Sequence, residues 1–268
     1  MTFIKKYIEE EVSDFDKSTL ETKDHLSPDI WENETLRGEI KNSLLKIARD
    51  FFESLDVDVE IEDIIMTGSL ANYNWSEYSD VDVHIIVDFP DVDENYELVK
   101  GFFDAKKNIW NRTHKILIKG FEVEVYVQDL SEPHISTGIY SIMKNQWLIK
   151  PKKQITDINW DDISLKVQSF IDQVDDLKEV FEEEKYEESH LYALRLMERL
   201  KKLRRAGLED GGEFSVENLT FKVLRRTEKI GDIVDIKNTS YDKARSIDGA
   251  SAFVDKPDAV SGTGPPEY

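Results

Sequence analysis

The residues best suited to chemistry lie in one stretch, Gly68-Ser69-Leu70-Ala71 through Ser79-Asp80-Val81-Asp82-Val83. Asp80 and Asp82 open an alternating run that continues to Val87. Residues two apart on a strand point the same way, so this spacing predicts two carboxylates side by side. Like charges that close raise each other's pKa unless a cation sits between them. Mg²⁺ is the hard, oxygen-seeking ion for such a pair, with Mn²⁺ as its substitute. Gly68 has no Cβ to keep a ligand from the backbone. N–H groups around Gly68 and Ser69, with the Ser69 hydroxyl, suit phosphate oxygens. These features together describe a site for a Mg²⁺-bound triphosphate.

The same stretch resembles the signature of the DNA polymerase β-like nucleotidyltransferase superfamily, a Gly-Ser followed by Asp-x-Asp. Gly68, Ser69, Ala71, Ser79, Asp80, Asp82, Val83 and Ile85 fall in register with it, whereas Asn72 and Tyr73 stand where Arg and Gly are common. The resemblance implies a third carboxylate on a later, neighbouring strand. Glu122 and Glu124 share a face of Phe121–Val127, and Glu124 is chosen as the more central. It also implies two-metal phosphoryl transfer, with Asp80, Asp82 and Glu124 as catalytic and metal-binding residues. A nucleoside triphosphate such as ATP would be the donor, a hydroxyl compound the acceptor, and pyrophosphate the product. The chain as a whole is similar to uncharacterised nucleotidyltransferase-domain proteins of tailed phages. The departures at positions 72 and 73 motivate an alternative, a catalytically inactive nucleotide-binding sensor or antitoxin-like partner protein.

Other residues are weighed against plainer roles. His84 follows Asp82 on the same face and is read as structural. Tyr73, Trp75 and Tyr78 suit either stacking on a base or pinning their loop. Arg195 and Arg199 share a helix face with Lys202 and Arg205, and are taken as nucleotide-binding candidates beside the simpler reading of a solvated face. Lys222, Arg225 and Arg226 are weighed the same way.

The elements that must position these groups follow from periodicity. Apolar residues from Leu36 to Leu55 recur at three- and four-residue spacing, which predicts a helix. Ile64–Thr67 reads as a buried strand, and 94–110 as a helix with Leu98, Phe102 and Phe103 inward. A hairpin turns at Lys119-Gly120, and a strand pair spans Gly138–Met143 and Trp147–Ile149. Helices are predicted over 164–184, 187–206 and 215–230. The expected fold is α+β: a mixed nucleotidyltransferase-type sheet backed by helices, followed by a helical domain. The organisation expected is an N-terminal arm over 1–34, with a short helix near its start. An α/β domain follows over 35–152, a helical domain over 153–238, and a disordered tail over 239–268.

Composition bounds the rest. The 268 residues include 56 acids against 35 bases, a formal net charge of −21, and no cysteine. Thiolate metal sites and disulfides are therefore excluded. Such charge repels polyanions at long range, which disfavours extended nucleic-acid binding. No apolar run reaches the roughly 18 residues of a membrane span, and the N-terminus lacks a signal-peptide pattern. The cytoplasm is the expected location, the host's if the chain is phage-encoded.

Overall fold

The computed structural model describes residues 15–134, 136–154 and 157–247. A small ribbon, β1 (Trp31–Glu32) and β2 (Thr35–Leu36), precedes α1 (Gly38–Glu53). Ile40, Leu44, Ala48 and Phe51 repeat at helical spacing and are buried, so α1 lays one stripe on the sheet. Then come β3 (Asp63–Thr67), β4 (Val81–Val87), α2 (Tyr96–Thr113), β5 (Leu117–Ile118), β6 (Phe121–Asp129), β7 (Ile139–Ser141) and β8 (Gln146–Ile149). They form one mixed sheet in the order β5-β6-β4-β3-β7-β8. β4 and β6 are parallel and joined by the α2 crossover, while the other pairings are antiparallel. The β5–β6 turn has positive φ at both Lys119 (52°) and Gly120 (90°), the twist a two-residue hairpin needs.

In β4 the odd positions Val81, Val83, Ile85 and Val87 are fully buried, which turns Asp80, Asp82 and His84 to the opposite face. α2 turns Phe103 inward and packs Phe102 against the sheet core, as the sequence reading expects, and departs from it at Leu98. Val99 and Phe103 are its buried positions, whereas Leu98, expected inside, is 61% exposed. Asn95 caps the helix by accepting a hydrogen bond from the Leu98 N–H, so Leu98 lies in the first turn beside the buried Val99.

The second half is helical: α3 (Trp160–Glu182), α4 (Tyr186–Asp210), α5 (Val216–Arg226) and α6 (Lys229–Arg245). The helix predicted over 215–230 is two helices, broken where Glu228 adopts a left-handed φ of 60°. α6 runs past position 238, held by buried Ile233 and Ser240. Part of the expected tail is therefore helix. The remainder from residue 248, and the short helix expected near the start, lie outside the described residues.

Apolar side chains gather into a sheet core, with α1 and α2, and a helical core among α3 to α6. The stretch before β2 is more than an irregular arm. Leu20 sits in the helical core, while Leu26, Ile30 and Trp31 sit in the sheet core. Trp31 stacks on Trp147 at 4.7 Å and donates its indole N–H to the Leu70 carbonyl at 2.7 Å. That bond steadies the turn after β3. Among the described residues no helix is long and apolar enough to cross a membrane.

Candidate active site

Gly68 ends β3 with φ 75° and begins a single 3-10 turn, Ser69–Ala71. A Cβ at this position would lie 1.9 Å from Asp82 Oδ2. Backbone sign and space therefore both demand glycine, and the turn is pressed against one of the two paired aspartates. The loop beyond is tied in place by serines. Ser69 Oγ donates to Ser79 Oγ at 2.7 Å, and Ser79 Oγ also accepts the Ser76 N–H at 3.0 Å. Asp80 follows directly.

The β4–β6 register sets Asp82 opposite Glu124. Burial, then Glu124 and Asp80, push the Asp82 carboxyl up to about 7. Asp80 is raised as well, by burial and Glu124, against the pull of Arg225. Asp80 and Asp82 thus sense the neighbouring acids in a poorly solvated place. Glu124 accepts a hydrogen bond from the Tyr126 hydroxyl. Among the described residues no three of His, Asp or Glu are gathered tightly enough to hold an ion as they stand. The donor chemistry nevertheless fits Mg²⁺ or Mn²⁺: the carboxylate oxygens of Asp80, Asp82 and Glu124, one of them against a glycine whose Cβ would collide with it.

These acids line a cleft of about 730 Å³. Across it stand Arg204 from α4 and Lys222, Arg225 and Arg226 from α5. Burial pushes the Lys222 amine down to about 8, with Glu213 opposing and the three neighbouring arginines reinforcing. Arg204 lies over the Phe221 ring at 4.7 Å. Arg226 is engaged by the protein, donating to Thr19 Oγ1 at 2.7 Å and Ser76 Oγ at 3.1 Å, over the Tyr78 ring at 5.0 Å. It joins the N-terminal stretch, the β3–β4 loop and α5. The sheet side of the cleft supplies the acids, and the helical side supplies four cations with Glu213 among them.

The family model described as a nucleotidyltransferase domain matches residues 45–204, more than half of the chain. The chain belongs to this family. No curated protein matches it. The matched region covers the sheet from α1 onward and ends at Arg204, so the nucleotidyltransferase match stops before Lys222, Arg225 and Arg226 complete the cleft.

Within this nucleotidyltransferase fold the candidates from the sequence separate clearly. Gly68, Ser69, Asp80, Asp82 and Glu124 line the cleft, and Glu122 does not. Arg195 and Arg199 do not line it either. Arg195 bonds back to the Leu191 carbonyl, and Arg199 donates to Gln173 and lies over Phe170, both on α3. Their helix face is turned away because Ala193, Leu196 and Leu200 fill the packed side of α4. Arg204 was missed, since its position falls outside the basic stripe read from spacing. Asn72 uses both ends of its amide within the protein, toward Thr137 Oγ1 and the Tyr73 N–H. Trp75 pins its loop, its indole N–H bonded to the His25 carbonyl at 2.8 Å, and Tyr73 packs against the sheet core. His84 is held by Gln128 at 2.9 Å and stacks on Tyr126, and burial pushes it down to about 4. It is a neutral wall of the cleft.

Proposed function

We propose that this protein transfers a nucleoside monophosphate from a nucleoside triphosphate to a hydroxyl acceptor and releases pyrophosphate. Asp80, Asp82 and Glu124 would hold Mg²⁺ or Mn²⁺, which neutralises triphosphate charge and favours ionisation of the acceptor hydroxyl. The N–H groups of the Gly68–Ser69 turn orient phosphate oxygens. Arg204, Lys222 and Arg225 bind the β- and γ-phosphates and stabilise the charge that builds on the leaving group. The acceptor oxygen bonds to the α-phosphorus as the bond to the bridging oxygen breaks, and Glu124 takes the acceptor's proton. Most of the acceleration comes from positioning and preorganised charge.

The observation that carries this reading is the opposition of sheet-side acids and helix-side cations across one cleft of about 730 Å³. That volume falls in the usual range for small-molecule sites. The test uses triphosphates labelled separately at the α- and γ-phosphates, with Mg²⁺ and an extract of the native cell as acceptor source. The α-label should enter a conjugate and the γ-label leave as pyrophosphate, and both should stop in Asp80→Asn. Label leaving as inorganic phosphate would refute it.

A second reading, a nucleotide-binding sensor without turnover, draws on the Tyr126 bond that holds Glu124. Metal-dependent binding of a triphosphate without pyrophosphate release would favour it.

A further inference from the structure

A second hollow, of about 340 Å³, opens beside the nucleotide cleft. Thr67, His84, Tyr126 and Ser136 line both, so the two adjoin along a shared wall. Their shared wall is the polar face of β4 and β6 beyond the carboxylates, where His84 follows Asp82, and Tyr126 and Gln128 follow Glu124. The connection is direct. The Tyr126 hydroxyl donates to Glu124, its ring stacks on His84 at 4.8 Å, and His84 bonds Gln128. A molecule seated here has its inner end against the residue that touches the third carboxylate.

The cleft and the hollow differ in charge. Arg204, Lys222 and Arg225 line the cleft and not the hollow. The hollow's own lysine, Lys100, is paired with Glu132 at 3.3 Å, and its other acid, Asp104, is paired with Lys107 at 2.9 Å. A phosphorylated ligand would meet these acids with the neighbouring lysines already engaged. A polynucleotide needs a continuous basic track with stacking faces, and a hollow whose lysine is paired with an acid offers none. A small polyol or amino-alcohol meets acceptors instead, in the Ser136 hydroxyl oxygen, whose proton goes to the Gly138 carbonyl, and in the carboxylate oxygens of Glu132 and Asp104.

We propose that this hollow seats the acceptor, and that the acceptor is a small hydroxyl compound, neutral or cationic, rather than a polynucleotide. The assignment rests on the nucleotidyl-transfer reading of the cleft. The hydroxyl oxygen enters from this side and bonds to the α-phosphorus. Pyrophosphate departs toward the helix-side cations with the bridging oxygen's electron pair, and the proton passes to Glu124.

The experiment offers the full chain Mg²⁺, α-phosphate-labelled triphosphates and a native-cell extract split by ultrafiltration and then by anion exchange. The conjugate should form from the small-molecule flow-through. Once purified, that acceptor should show a KM raised about tenfold in Glu132→Lys and less in Glu132→Gln, with the Kd for a fluorescent triphosphate unchanged. Conjugate formed only from macromolecules or from retained anions would overturn the assignment. So would an unchanged acceptor KM in Glu132→Lys, or triphosphate turnover to water with no conjugate from any fraction. A wild-type protein that neither binds nor turns over a triphosphate would instead remove the transfer reading itself.

Discussion

Asp82→Asn changes almost no volume, yet it removes a charge that the fold holds at a cost. The carboxyl is raised from 3.8 to about 7, by burial first and then by Glu124 and Asp80. Between those values the native state keeps a proton that the unfolded chain has released, so native stability falls as pH rises through that window and levels above it. At about 1.4 kcal/mol per pKa unit, the ionised side chain costs the metal-free protein about 4 kcal/mol at neutral pH and above. Near pH 5 the cost is about 1–2 kcal/mol. Asparagine carries no charge but leaves a buried amide to satisfy, which returns about 1–3 kcal/mol of the gain. The net expectation is a metal-free Asp82→Asn protein more stable than wild type by about 2 kcal/mol at pH 8. For a chain of this size that is a rise of about 4–8 °C in Tm. Thermal unfolding in EDTA at about pH 5 and pH 8 measures it, and the advantage should shrink at the lower pH. With Mg²⁺ added, wild type should recover the difference while the variant does not respond, and transfer by the variant should be lost. A metal-free Asp82→Asn protein that melts at or below wild type at the higher pH would refute the argument, because the carboxylate would then not be a buried, mutually repelled charge.

Other expectations follow from single contacts. Gly68→Ala drives a methyl into Asp82 at a positive φ, and displacement of that carboxylate by about 1 Å should cost about 100-fold in kcat. A variant within twofold of wild type would show the contact to be soft. Glu124→Gln should abolish transfer, whereas Glu122→Gln, whose side chain lies off the cleft, should keep most of it; steady-state kinetics showing the reverse ranking would move the third ligand to residue 122. Lys222→Ala and Arg225→Ala should raise KM for the triphosphate by about tenfold or more, while Arg195→Ala and Arg199→Ala leave it unchanged. Ile233→Ala, in a buried position of α6, should lower stability by about 2–4 kcal/mol in urea unfolding. A negligible change there would mean that α6 contributes little to the helical core.

Local pattern alone determined the strand that carries the paired aspartates. Alternation in Val81–Val87 fixes which face Asp80 and Asp82 share, because a strand has a period of two wherever it sits. The Gly68-Ser69 turn was legible for a similarly local reason: where the backbone must be approached closely, only a residue without a Cβ fits. What the sequence left open were relations between elements far apart in the chain. Glu122 and Glu124 have the same alternation, and only the parallel register of β6 on β4, created by the α2 crossover, sets Glu124 opposite Asp82. The basic residues gave the least. Charges on an amphipathic helix look alike by spacing, and which of them meets the cleft depends on how the helix is rolled and where it crosses its neighbours. Arg195 folds back on its own helix and Arg199 meets α3, while Arg204, Lys222 and Arg225 line the cleft with the acids. Side-chain period is a property of one segment, but a site built from several segments is a property of their packing.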